Sequence, residues 1–352
     1  MNPARSVVAA MTAYTLELRD AEVKLNQNES PYDFPATLKD TVLDRVKKRA
    51  WNIYPDFESQ MLREAIASAY GFVAENILVG NGSNELLAAA IGTVVGSRTP
   101  VIIARPTFTL YEKLVTIAGG TVIPVDFDPS TGILPLDEIL ARAEEHDDAV
   151  IMICSPNNPT GGILPDGGLE RLLATRRVVL FDRAYGDFAE DELPPLDDRL
   201  ITFSTFSKAW GLAGLRIGWM ASTASTCREV RKVKLPYSLN VISETIAAVA
   251  LEQRGLRDGN VARTLVERER LSASMREMDG IEVFPSRANF VAFRLERDAK
   301  EIFEALHDEG ILIRDVSSYP RMHNCLRVTV GTREQNDQFV MALRNALRKV
   351  TA

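Results

Sequence analysis

Between Ala36 and Glu252 the chain alternates two textures, and that alternation constrains its fold more than any other feature. Amphipathic stretches with helical spacing run over Ala36–Ala50 and Glu58–Tyr70, and Ser83–Val94 reads as a helix apolar enough to be buried all round. Between and after them come short runs rich in β-branched residues: Val101–Ala104, Thr121–Val125, Ala149–Cys154, Arg177–Phe181, Leu200–Ser204 and Ile217–Met220. Several of these runs are apolar on both faces, as strands of a mostly parallel, helix-covered sheet are. The pattern predicts an α/β layered domain. Ligands of such sheets collect at the carboxyl ends of the strands. Polar clusters follow three of the runs there: Ser155-Pro156-Asn157-Asn158, Asp182, and Ser204 to Lys208.

Beyond Gly255 the texture changes. A long charged helix is expected over Asp258–Met278, then strands Ile281–Phe284, Asn289–Leu295, Ile311–Asp315 and Cys325–Val330, with helices Ala299–Glu309 and Gln335–Val350. This reads as a smaller α+β domain. No Ser-, Gly- or Pro-rich linker divides the parts, so a shared cleft is expected. The expected division is a large domain over 36–254, a small domain over 255–352, and an arm over 1–35 that joins the small one.

Charge and cysteine usage narrow the function classes. The 41 basic and 48 acidic side chains leave a net charge of −7, which argues against a partner bound through a broad basic surface, whether nucleic acid or anionic membrane. Cys154, Cys227 and Cys325 are odd in number and far apart, so neither a disulfide scaffold nor a zinc site is expected. His146, His307 and His323 form no metal-binding or triad motif. No apolar run approaches the roughly 18–20 residues that span a bilayer, and the first twelve residues carry no leader-like apolar core with a cleavage site. The expectation is a cytoplasmic enzyme without a metal.

Four segments can carry chemistry. Lys208 lies in Ser204-Thr205-Phe206-Ser207-Lys208, just before Gly211, Gly214 and Arg216. An amine shielded at a strand end can have a lowered pKa and act as a Schiff-base nucleophile; most lysines in such places are simply solvated. Thr205, Ser207 and Arg216 are residue types that chelate phosphate. Asp182 can be a turn or capping residue, or a carboxylate holding a ring nitrogen protonated, with Tyr185 bonding the same ligand. Gly80-Asn81-Gly82-Ser83-Asn84-Glu85 opens an apolar helix and offers its first amides to an anion; a capping box explains it equally well. Ser155-Pro156-Asn157-Asn158-Pro159-Thr160-Gly161 is more specific, because its prolines and glycine fix the orientation of Asn158.

Together these segments resemble the fold-type I enzymes of pyridoxal 5′-phosphate (PLP), the class of aspartate and histidinol-phosphate aminotransferases. The resemblance runs from Tyr14 to Arg333, with the motifs in family order. Leu25 to Tyr32 is similar to the family's N-terminal substrate loop. Ile311-Leu312-Ile313-Arg314-Asp315 and Leu326 to Arg333 resemble the histidinol-phosphate aminotransferase form. The resemblance implies a large, mostly parallel sheet of the seven-stranded type plus a smaller α+β domain. It implies that Lys208 binds PLP and shuttles the proton, and that Asp182 faces the ring nitrogen. Asn158 and Tyr185 are assigned to the ring oxygen, and Phe108 to one ring face, where the family usually has tyrosine. Ser83, Asn84, Thr205, Ser207, Arg216 and Tyr54 are assigned to the phosphate. Tyr54 comes from the other subunit in the family, so a homodimer with shared sites is implied. Arg327 is the expected substrate anion clamp: strand alternation sets Cys325, Arg327 and Thr329 opposite an apolar trio of Leu326, Val328 and Val330. Arg314 is the second contact, unless it is a surface residue paired with Asp315. Tyr14 and Asn28 match positions near the substrate. Where the family's usual motif reads Asp-Glu-Ala-Tyr, this chain has Asp182-Arg183-Ala184-Tyr185.

The activity expected from this resemblance is amino transfer between L-histidinol phosphate and 2-oxoglutarate. The alternatives on the same scaffold are an aromatic or broad-range aminotransferase and a lyase of the threonine-phosphate decarboxylase type. A regulator's aminotransferase-like domain is disfavoured, since the motifs begin too early for a helix-turn-helix module.

Overall fold

The computed structural model describes residues 3–13, 19–189 and 192–349. In chain order the strands are β1 (Val23–Lys24), β2 (Ile77–Asn81), β3 (Pro100–Arg105), β4 (Thr121–Asp126), β5 (Val150–Cys154), β6 (Val178–Asp182) and β7 (Leu200–Thr205). They continue with β8 (Ile217–Ala221), β9 (Ile281–Val283), β10 (Phe290–Leu295), β11 (Ile311–Leu312), β12 (Arg314–Asp315) and β13 (Cys325–Thr329).

A seven-stranded sheet in the order β2-β8-β7-β6-β5-β3-β4 forms the centre. Its burial follows the two-residue period of a strand. On β3, Val101 and Ile103 enter one core layer while Ile102 and Ala104 enter the opposite one. On β5, Val150 and Met152 divide from Ile151 and Ile153 in the same way. Both faces are therefore covered, and the strands read as continuous apolar runs. β3 to β7 pair in parallel, whereas β8 is antiparallel to both β2 and β7. This reversal has a use: the start of β8, just after Arg216, lies at the same sheet edge as the carboxyl ends of the parallel strands.

The second sheet, β12-β13-β10-β9, is antiparallel. Val291, Phe293, Leu326 and Val328 pack in one core with Ile302 and Leu306 of the helix Ala299–Asp308 and Phe339 and Leu343 of the helix Arg333–Lys349. β1 pairs in parallel with β11, so the N-terminal segment is tied to the C-terminal part of the chain.

Several expected boundaries are corrected. The run Ile311–Asp315 is two strands, because β11 pairs with β1 and β12 with β13. The charged helix starts earlier, at Arg254, and ends at Arg276. β2 was not among the expected strands. Only Ile77–Val79 of it is apolar, because its last two residues, Gly80 and Asn81, already belong to the Gly-Asn-Gly segment. Among the described residues no helix is long and apolar enough to cross a membrane.

Candidate active site

A cavity of about 290 Å³ opens at the carboxyl edge of the large sheet, against β12 and β13. Asp182 closes β6 and Thr205 closes β7, while Ser83 and Asn84 open the helix after β2. Ser207, Lys208 and Arg216 come from the β7–β8 connection, and all of these residues line the cavity. Asn28, Phe108, Asn158, Tyr185, Arg314 and Arg327 line it too. The segment after β1 is the bridge between the two sheets. Asn28 N donates to Thr329 Oγ1 at 2.9 Å, and Asn28 Nδ2 donates to the Tyr185 hydroxyl at 3.0 Å.

Lys208 Nζ donates to the carbonyl of Gln27 at 2.9 Å. Burial of the amine, aided by the Arg327 guanidinium, pulls its pKa down to about 7. Neutral amine, the nucleophilic form, is thus abundant near neutrality. Asp182 is buried; its Oδ2 accepts from the Tyr111 hydroxyl at 2.7 Å and its Oδ1 from Ala184 N at 2.8 Å. Burial raises its pKa, and those two hydrogen bonds oppose the rise. The turn role is met by Oδ1, which holds the Ala184 amide. Burial pushes the Tyr185 hydroxyl up, so it stays a donor.

At the other end of the cavity, no side chain caps the helix Ser83–Val94. Glu85 turns back to accept from Asn81 N at 2.6 Å, so it does not form the capping box with Gly82 or Ser83. Arg216 Nη1 donates to Ser207 Oγ at 3.2 Å, and Ser207 N donates to Thr205 Oγ1 at 3.0 Å. The backbones approach closely here. A Cβ on Gly218 would stand 2.1 Å from Ser83 N, and one on Gly82 would stand 2.5 Å from Arg216 Nη2. Uncapped helix amides, two hydroxyls and a guanidinium make an anion cradle.

Arg314 and Arg327 face each other across the β12–β13 ladder. Opposed residues of an antiparallel pair project to the same face, and both line the cavity. Arg327 is buried; it donates to Asn158 Oδ1 and, at 2.8 Å, to the carbonyl of Asn26. The expected alternation along β13 is observed, since Leu326, Val328 and Val330 all enter the core.

Tyr54 is not part of this cavity within one chain. It is 78% exposed and stacks on Tyr237, ring centroids 4.6 Å apart. Tyr14 lies outside the described residues. Gln27 of the expected substrate loop lines the cavity; Cys154 lines it without having been assigned there, and Tyr111 and Tyr319 without any signal being read from sequence. Tyr111 stands three positions after Phe108, a spacing that brings two aromatics to one side of a helical turn. That was its only signal, and it reads as core.

The donor set fits PLP. A buried carboxylate has no ion-pair partner among the described residues, a ready amine stands nearby, an anion cradle closes one end, and Phe108 offers an aromatic face. Fold and site define a PLP-dependent aminotransferase. The family model for aminotransferase class I and II matches residues 20–343, and the chain belongs to that family, in its histidinol-phosphate aminotransferase branch. It is 38% identical over 351 residues to the histidinol-phosphate aminotransferase of Chlorobaculum parvum, covering 98% of each chain. To that of Aquifex aeolicus it is 34% identical, again covering 98% of each. The fold is similar to the crystal structure of histidinol-phosphate aminotransferase from Sinorhizobium meliloti in complex with PLP. The TM-score is 0.88 at 24% identity, covering 99% of both chains.

Proposed function

We propose that this aminotransferase moves an amino group from L-histidinol phosphate to 2-oxoglutarate, giving imidazole acetol phosphate and glutamate in histidine biosynthesis. The observation that carries this reading is the Arg314/Arg327 pair. Two guanidiniums on adjacent strands offer a phosphate dianion of one substrate, and a carboxylate of the other, paired charge-assisted hydrogen bonds. The names of the relatives point the same way.

When bound, PLP supplies an electron sink for the negative charge that develops at the substrate Cα. Everything else falls to the chain. Lys208 would hold the cofactor at rest; once its amine is released, Nζ would carry the proton between the substrate Cα and C4′ of the cofactor. Asp182 keeps a negative charge against the ring nitrogen. Tyr185 and Asn158 hydrogen-bond the ring oxygen, and Asn28 orients the Tyr185 hydroxyl. Phe108 covers one face. Arg216, Thr205, Ser207 and the amides of Ser83 and Asn84 take the cofactor phosphate. The domain boundary we propose falls near residue 254, with 1–35 and 255–352 forming the small domain and 36–254 the large one; the separate cores on the two sheets support it.

We also infer a homodimer in which Tyr54 reaches the partner's cofactor phosphate. Its support is the exposed aromatic cluster of Tyr54, Phe57 and Tyr237, since clustered exposed apolar groups mark interaction sites. Three free, buried cysteines support a reducing, cytoplasmic setting.

Single-turnover spectroscopy tests the reading. The visible band of the bound cofactor bleaches on mixing with histidinol phosphate alone and returns with 2-oxoglutarate. Turnover of phenylalanine with none of histidinol phosphate would select the aromatic enzyme instead, and CO₂ release from threonine phosphate the lyase.

A further inference from the structure

Asp182 ends β6 almost entirely removed from solvent, and two donors reach its carboxylate: the Ala184 amide on Oδ1 and the Tyr111 hydroxyl on Oδ2. Its register partner on β5 is Cys154, whose thiol burial keeps neutral and whose Sγ donates to the Pro156 carbonyl at 3.3 Å. No cation offsets the charge from the protein side among the described residues. A carboxylate in such a place takes up a proton unless donors hold its charge. Once protonated it presents no negative charge to a ring N–H.

Tyr111 is 1% exposed, and burial and the adjacent carboxylate push its pKa well above the usual 10. The direction of the hydrogen bond is therefore fixed: tyrosine donates and aspartate accepts. Tyr111 sits in the first turn of the helix Leu110–Ala118. The same turn meets Phe108 edge-on, with ring centroids 5.5 Å apart and planes at 88°. One helical turn thus braces the residue assigned to the ring face and anchors the residue assigned to the ring nitrogen.

We propose that Tyr111 is a positioning residue for the cofactor: its hydroxyl keeps Asp182 ionised and aimed, and its ring props Phe108. The proposal rests on the reading of Asp182 as partner of the PLP ring nitrogen. Tyr111 acts through Asp182 and Phe108 and makes no contribution to substrate recognition.

The test is a double-mutant cycle on the purified, cofactor-stripped protein with Tyr111→Phe, Asp182→Asn and the double variant. PLP affinity is read by fluorescence titration, the bound cofactor's absorbance is recorded across pH, and KM and kcat are compared. Tyr111→Phe should weaken PLP binding about tenfold, the scale of one hydrogen bond to a charged group. It should also move the pH dependence of the visible band and lower kcat while KM for histidinol phosphate holds. The double variant should bind PLP within about twofold of Asp182→Asn alone, since coupled groups are non-additive. Losses that multiply would show a packing role only and overturn the proposal. If Asp182→Asn leaves affinity unchanged, the reading of Asp182 falls and the proposal with it. If Asp182→Asn weakens binding and Tyr111→Phe does not, only the assignment of Tyr111 falls. Should the Phe variant fail to fold, Tyr111→Met, which also removes the donor, enters the same cycle with the same criteria.

Discussion

Arg314 and Arg327 are register partners on β12 and β13, and both line one cavity. They are not equivalent. Arg327 is also tied to Asn158 and to the Asn26 carbonyl, so it organises the cavity wall as well as offering charge. Arg314→Ala should raise KM for histidinol phosphate about ten- to hundredfold with a smaller effect on kcat, the scale of a lost charge-assisted hydrogen bond. Arg327→Ala should lower kcat as well, because Asn158 loses its partner. Steady-state kinetics with both substrates checks this; equal effects of the two changes on KM alone would refute the distinction.

Lys208 titrates far below a free lysine, and this has a stability consequence. Its pKa falls from 10.5 to about 7 on folding. Between those values the unfolded chain holds a proton that the folded chain does not, so folding becomes more favourable as pH rises through that window. At and below pH 7 the penalty of enclosing the charged amine is complete. In cofactor-stripped protein, Lys208→Met should therefore be more stable than the parent at pH 7 by a few kcal/mol, on a scale of about 1.4 kcal/mol per pKa unit, and unfold at a higher temperature. The gap should close as pH approaches 10. A gap independent of pH would show that the amine is solvated in the folded state.

Two glycines near the anion cradle make a sharp contrast with a third. Gly82→Ala places a methyl against the Arg216 guanidinium, and Gly218→Ala drives one into the Ser83 amide. Both should weaken PLP binding at least about tenfold, because a shift of a few tenths of an ångström misaligns charge-assisted hydrogen bonds. Gly71 also has a positive φ, 77°, but nothing stands within 4 Å of its added Cβ. Gly71→Ala should cost about 1 kcal/mol of stability from backbone strain and leave PLP affinity intact. Fluorescence titration beside thermal unfolding separates the two effects.

The parts of the site that sequence reveals are those carried by local pattern. Lys208, Asp182, Asn158 and the phosphate-type residues follow strand ends, and strand ends of a parallel sheet share one edge. Arg327 was legible because period-two alternation is a local property. What escaped depends on pairing. The antiparallel insertion of β8 between β2 and β7 cannot be read from its own residues, yet it brings Arg216 to the cavity edge. The split of Ile311–Asp315 follows from two different partners, β1 and β13. Tyr111 reads as an ordinary core aromatic until the distance to Asp182 is known. Tyr54 raises the opposite difficulty, since its motif points to the cofactor while a single chain leaves it on the surface.

That displacement of Tyr54 gives the most discriminating prediction about assembly. If Tyr54 serves the partner's cavity, each complete site draws Lys208 from one chain and Tyr54 from the other. A hybrid of Lys208→Ala with Tyr54→Ala chains then contains one site carrying both changes and one carrying neither. Mixing the two variants under exchange should restore about a quarter of the parent activity, with PLP dissociating from the restored sites at the parent rate. If Tyr54 served its own chain, every hybrid site would carry one of the two changes and no such site would form. The exposed surface around Tyr54, Phe57 and Tyr237 predicts the accompanying mass: light scattering should give twice the chain mass, and replacing Tyr237 and Phe57 together by serine should shift it toward the monomer while weakening PLP binding. A fully monomeric protein holding PLP as tightly as the parent would overturn the shared site.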